Sequence, residues 1–190
     1  MFALVQDNTI TKMISGNRGV TIGDVQYPQN IFTLWSVAEK EAIGIYEVVF
    51  DNSNKQDAVY YDNTGQSFNF SDGVATASYG SPTAKELDDV TDEDDNVTLG
   101  LKSKRKVSIK QQASSLLTPT DWYVIKATDV ESYSVPSAIT TYRANVRTKS
   151  NDMEVLIDAC STVDELAALY VYNDDAPPIR PLGEFPTLEI

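Results

Sequence analysis

The spacing of apolar residues changes once along this chain, and that change limits the folds open to it. Up to about residue 80, apolar and polar side chains alternate in short runs cut by turn-forming residues; beyond residue 97, apolar residues recur at steps of three, four and seven. A period of two belongs to half-buried strands and a period near 3.6 to amphipathic helices. Strands first and helices afterwards predict an α+β chain. The expected divisions are a small antiparallel β-rich domain over 1–82, an acidic linker over 83–96, a helical region over 97–172 and an extended proline-rich tail over 173–190.

In the first part, Phe2–Val5 and Thr9–Ile14 flank Asp7-Asn8 and should pair as a hairpin. Ser36 with Glu39 three residues later forms a capping box, and Gly44 is placed to end the short helix that follows. Ile45–Phe50, rich in β-branched and aromatic residues, is the clearest strand. Three more strands, over Ala58–Tyr61, Gln66–Phe70 and Val74–Tyr79, are expected as a meander, with Asn63-Thr64-Gly65 and Ser71-Asp72-Gly73 as turns.

The run from Glu86 to Asp95 is dense in acids but lacks the alternating ligands, central glycine and terminal glutamate of an EF-hand loop. It reads as a solvated linker. A helix is expected over 97–117, basic in its first half (Lys102, Lys104, Arg105, Lys106, Lys110), solvated or facing a partner, and ended by Thr118-Pro119. A helical hairpin is expected over about 135–170. Pro136 would open it as the first helical residue, and Ile139, Tyr142, Val146, Met153, Leu156, Ile157 and Cys160 would form its apolar stripe. Arg143, Arg147 and Lys149 fall largely off that stripe. In the tail, Leu182, Phe185 and Leu188 are the expected contacts with another surface.

Composition narrows the chemistry. The 190 residues contain no histidine, which removes Ser–His–Asp and Cys–His catalysis and histidine-ligated metal sites. The single cysteine, Cys160, cannot form an internal disulfide and reads as a small apolar residue near a helix end. A formal charge of −13 disfavours nucleic acid and favours a basic protein partner. No apolar run approaches the length of a membrane span, and the N-terminus lacks the basic start of a signal peptide. Carboxylates are plentiful, but no pair stands in the setting of a two-acid hydrolase.

The stretch Leu116-Leu117-Thr118-Pro119-Thr120-Asp121-Trp122-Tyr123, followed by Val135-Pro136 and then Tyr142-Arg143-Ala144-Asn145-Val146-Arg147, resembles the phage tail assembly chaperone-like domain found near the C-terminus of many tail-fibre assembly proteins. In that pattern a helix ends in Leu-Leu, a Thr-Asp-Trp step follows, and a second helix carries Tyr-Arg with another Arg four residues on. The segment Pro181-Leu182-Gly183-Glu184-Phe185-Pro186 resembles its proline-and-aromatic ending. The resemblance runs from Gln111 to Pro186. It implies a non-enzymatic bacteriophage tail protein, a tail-fibre assembly chaperone or fibre-associated subunit, found in the host cytoplasm during assembly and on the virion tail. The alternative is a permanent virion component, such as a fibre, fibre-joint or baseplate protein, including a receptor-binding one. The implied partner is a tail-fibre or baseplate protein, with a second copy of the chain as another option. No cofactor, metal, nucleic acid or membrane insertion is expected.

The candidate partner-binding residues are Trp122, Tyr123, Tyr142, Arg143, Arg147 and Phe185. Tryptophan offers a large rigid apolar face. Arg143 and Arg147 lie one helical turn apart and could clamp carboxylates, Asp121 among them. Against this stands a plainer reading, in which Trp122 and Tyr142 are core residues that set a helix–helix angle. Ile45–Phe50 is a candidate sheet edge for a client strand. Tyr60, Tyr61, Phe68, Phe70 and Tyr79 are candidates for sugar stacking.

Overall fold

A computed structural model describes residues 1–188; the last two residues of the expected tail lie outside that range. The chain divides into two compact units, Met1–Thr83 and Ala84 onward.

The first unit is built on a five-stranded sheet. Strands β1 (Phe2–Gln6) and β2 (Thr9–Ile14) form the expected hairpin, closed by Asp7 and Asn8, both at positive φ (51° and 58°). Two such residues give the turn whose twist matches its flanking strands. The short pair β3 (Val20–Ile22) and β4 (Val25–Tyr27) and the single turn α1 (Ile31–Leu34) follow. In α2 (Val37–Glu41) the capping box is present in full: Ser36 Oγ accepts from the Glu39 amide, and Glu39 accepts from the Ser36 amide. β5 spans Ile45–Asp51 and β6 covers Tyr61–Asp62. β7 (Gln66–Ser71) and β8 (Val74–Tyr79) form a hairpin, and β9 (Thr83–Ala84) lies where the units divide.

The strand order is β2-β1-β5-β8-β7. Every ladder in this sheet is antiparallel except β5 with β8, which is parallel. The expected meander is therefore corrected. A parallel neighbour needs a long crossover, and the chain between Asn52 and Gly73, including edge strand β7, supplies it. The strand expected over Ala58–Tyr61 shrinks to Tyr61–Asp62, because residues 58–60 turn instead and bury Tyr60. Ile45–Phe50 also proves to be no edge: β5 is interior, paired with β1 through its first half and β8 through its second.

β1 is buried on both faces. Phe2 and Leu4 join Ile14, Val20, Ile31, Phe32 and Ile45 on one side; Ala3 and Val5 join Val48, Ala75 and Ala77 on the other. Its side-chain alternation thus divides residues between two cores, where a one-sided sheet would send every second residue to water. Gly44, at φ +80°, ends the helical turn against β1, where its carbonyl accepts from the Val5 amide at 2.8 Å. A Cβ there would stand 2.7 Å from the Val5 carbonyl oxygen.

In the second unit, β10 (Val90–Thr91) and β11 (Val97–Thr98) pair as a small hairpin. The Asp92 carboxylate organises its loop by accepting from the amides of Asp94 and Asn96, both at 2.9 Å. The helix expected from residue 97 begins at Leu101 instead: α3 covers Leu101–Leu117. Pairing holds Val97 and Thr98 extended, and Gly100 is the extended N-cap. The open helix amides find partners in the preceding turn: Leu101 donates to the Glu86 carbonyl, Lys102 to the Leu87 carbonyl, and Gly100 to Asp89 Oδ1 at 2.8 Å.

Thr118–Thr120 form a 3-10 turn, and α4 (Asp121–Asp129) follows at once. Pro119 is tolerated because it sits in a first turn, where no intrahelical amide is required. α5 spans Ser137–Asp158, with Pro136 as the extended N-cap residue and not the first helical one. α6 (Val163–Ala168) begins with a complete Thr162–Glu165 capping box. Residues 169–188 hold no helix or strand. Leu182 is nevertheless fully buried, and its amide donates to the Leu169 carbonyl at 3.0 Å. No helix among the described residues is long and apolar enough to cross a membrane.

Replacing Gly44 with alanine should destabilise the first unit by roughly 1–3 kcal/mol, the usual cost of one strained backbone position, read as a lower midpoint in urea. The Asp89 carboxyl is held below its ordinary 3.8 first by the Gly100 amide and then by the Ser103 hydroxyl. A carboxyl depressed by folding stabilises the fold above its unfolded value and loses that contribution as pH falls through the folded one. Asp89→Asn should therefore lower stability near neutral pH and shrink the acid-induced fall in the same urea midpoint.

Candidate partner-binding groove

The second unit's apolar residues bring α3 and α5 together. Ala113, Tyr142 and Val146 form a buried cluster, with Leu116, Leu117, Phe185 and Leu188 packed on it. Tyr142 is 7% exposed, and its hydroxyl lies 3.4 Å from the Leu116 carbonyl, to which it donates. Of the residues expected to meet a partner, Tyr142 belongs to the core, and Phe185 is half-buried over it.

The basic half of α3 is largely spent inside the unit. Lys102 pairs with Asp88 at 3.0 Å, Lys106 with Asp158 at 2.7 Å and Lys110 with Glu154 at 3.1 Å, while Arg105 lies over the Tyr170 ring at 4.4 Å. The expectation of a solvated or partner-facing basic helix is corrected accordingly. Its cations tie α3 to the preceding turn and to α5, four residues apart and so on one face.

Arg143 is buried despite lying off the apolar stripe expected for α5. It reaches the end of α3, where carbonyls lack intrahelical donors. Its Nη1 donates to the Leu117 carbonyl at 3.0 Å and to Thr120 Oγ1, and forms an ion pair with Asp121 Oδ1 at 2.7 Å. Thr120 in turn donates to the Leu117 carbonyl at 2.7 Å. Asp121, weighed above as a carboxylate for the arginine pair, does meet Arg143. No buried side-chain nitrogen or oxygen among the described residues lacks a partner. Leu156, placed on the buried stripe by its spacing, is 38% exposed; Ser150 is buried instead.

Arg147, one turn on, behaves differently. It is exposed, and its Nη1 donates to the Arg143 carbonyl at 3.3 Å. The two arginines line a groove of about 510 Å³ between α3 and α5. Ala113, Ser114 and Ser150 keep its middle open, and the Lys110–Glu154 pair lies towards its far end.

α4 leaves this groove at Asp121 and buries none of its side chains. Trp122 is 49% exposed and Ile125 61% exposed. Trp122 stacks on Tyr123 with ring centroids 3.7 Å apart, and Lys126 lies over the Trp122 ring at 5.9 Å. The plainer reading of Trp122 as a core residue is thereby overturned. The six predicted residues separate into three places: Arg143 and Arg147 in the groove, Trp122 and Tyr123 on exposed α4, and Tyr142 and Phe185 in and over the core.

Ile125 was missed in the sequence. Its signal was the three-residue step from Trp122, legible only once Asp121–Asp129 is known to be helical. Thr120 was missed too, since a hydroxyl serving a buried guanidinium carries no mark in the sequence. Of the five aromatics considered for sugar stacking, Tyr60 is buried and Phe70 packs on Tyr46 at 4.5 Å, while Phe68 and Tyr79 share the sheet face of Phe70 by the β7–β8 register. Cys160 is buried just after α5, and burial pushes its thiol upward, which disfavours the reactive thiolate.

No protein-family model, curated protein or solved structure matches the chain.

Arg143→Met should cost roughly 2–3 kcal/mol, because it removes charge-assisted bonds from a buried site. Arg147→Ala should stay within about 0.5 kcal/mol, as is usual for an exposed position. Chemical denaturation of the two variants beside the parent checks the contrast.

Proposed function

We propose that this chain is a non-enzymatic phage tail protein that grips the tail fibre, either as an assembly chaperone or as a fibre-associated subunit. The observation that carries the reading is α4: a helix with no buried side chain, presenting Trp122 and Ile125 beside an arginine-lined groove. A rigid aromatic anchor next to arginine is the composition that dominates binding energy at protein interfaces. The sequence pattern from Leu116 to Arg147, which resembles the tail assembly chaperone-like domain, falls on these same elements.

Gripping of this kind is non-covalent and needs no reactive centre. Apolar surface on α4 would cover exposed segments of the fibre before they assemble, and the groove would add polar specificity. A second reading, a permanent virion component that joins two assemblies, draws on the division of the chain into two compact units.

Co-expression with the tail-fibre or baseplate polypeptide encoded beside it should yield a complex on affinity capture. Trp122→Ala combined with Ile125→Ser should weaken capture at least about tenfold, as expected for loss of an interface anchor. Capture of no tail polypeptide by the parent chain would sink both readings. Mass spectrometry of purified virions separates an assembly chaperone that leaves, absent from the particle, from a fibre-associated subunit or permanent component, which persists in it.

A further inference from the structure

We propose that the groove between α3 and α5 holds an extended segment of the partner through one Asp or Glu side chain bound by Arg147, an inference that rests on the partner-gripping reading and specifies its chemistry. The charges on the groove walls select this ligand. Lys110 is neutralised by Glu154 and Arg143 by Asp121. Among the described residues Arg147 meets no such carboxylate, and it keeps donors of its planar fork for a ligand after meeting the Arg143 carbonyl. Among the described residues of the groove, one cation is thus left unmatched, which makes this wall locally positive although the chain as a whole carries −13. A carboxylate complements it, whereas a lysine or arginine would meet it as a like charge. A phosphate backbone calls for clustered cations, and here the neighbouring cations are already paired.

The dimensions suit a strand-like segment. From Arg143 to Glu154 the groove follows α5 for three turns, about 16 Å at the rise of an α-helix. An extended chain advances about 3.3 Å per residue, so roughly five residues fill it. Ala113, Ser114 and Ser150 are small and keep the floor of the groove low, so that a backbone can lie along it, and Leu117 offers an apolar neighbour to the carboxylate site. Arg143 positions without binding: its buried bonds to Leu117, Thr120 and Asp121 hold the wall against which Arg147 works. The occupant is then an extended stretch with an acidic residue flanked by apolar ones.

The test uses the full chain with nitrogen-15-labelled arginine and two peptides, acetyl-Ala-Leu-Glu-Leu-Ala-amide and its Gln counterpart. The Arg147 Nε–Hε resonance should move on adding the Glu peptide, and the Gln peptide should bind about tenfold more weakly, the effect of one lost charge-assisted contact. Arg147→Gln, an exposed substitution, should abolish that difference while leaving the fold intact. Equal binding of the two peptides, no movement at Arg147, or an equal response to inorganic phosphate would overturn the assignment. In the capture experiment, Arg147→Gln should lower retention of the tail polypeptide about tenfold as well. Retention that survives Arg147→Gln but is lost with Trp122→Ala keeps the broader reading and discards the carboxylate site. Glu-selective binding at Arg147 in a chain that captures no tail polypeptide does the reverse.

Discussion

A guanidinium buried between two helices sets the geometry of the second unit. Arg143 takes up the carbonyl at the end of α3, the hydroxyl of the 3-10 turn and the carboxylate that opens α4. An unpaired charge at that depth would be costly, so the three acceptors and the arginine must be placed together or not at all. This requirement fixes where the chain turns after Leu117. It therefore also fixes where Asp121 lies and which way α4 leaves. The outward display of Trp122 and Ile125 depends on a bond that neither residue makes.

Around that bond the unit sorts its charges. The cations of α3 reach the preceding turn, α5 and the Tyr170 ring, and Arg180 of the tail pairs with Glu184 at 2.7 Å. Most of these pairs are partly exposed and contribute little stability singly. Their effect is to leave few uncommitted cations among many acids, so that Arg147 stands out in its groove. The tail is held by packing as much as by charge: Leu182 is buried and Phe185 covers the Tyr142 cluster. The first unit rests on a different constraint, a strand enclosed on both faces. With β1 between two cores, a one-residue slip would exchange Phe2 and Leu4 for Ala3 and Val5. The Asp7-Asn8 turn and the Gly44 contact hold the register against that slip.

Much of the local structure was legible in the sequence. The β1–β2 hairpin, the Ser36–Glu39 capping box, the Gly44 turn and most of the α5 stripe follow from short-range chemistry that a few neighbouring residues contain. The candidate site was legible in pieces. The arginine pair and its carboxylate could be read from spacing, yet the division of labour between Arg143 and Arg147 could not. A period of 3.6 places both off the apolar stripe; only the end of α3, with its open carbonyls, draws one of them inward.

Short-range patterns thus determined the class of the chain, strands and then helices, and the exclusion of histidine chemistry, because each depends only on which residues occur and how they are spaced. Which strands became neighbours, where α3 began and which aromatics stayed outside were decided by tertiary contacts. β5 lies beside β8 because the β7–β8 hairpin joins the sheet through its second strand and leaves β7 at the edge. α3 starts at Leu101 because β11 pairs with β10. Trp122 faces outward because a distant arginine captured the turn before it. Each depends on partners far along the chain, and no local period records them.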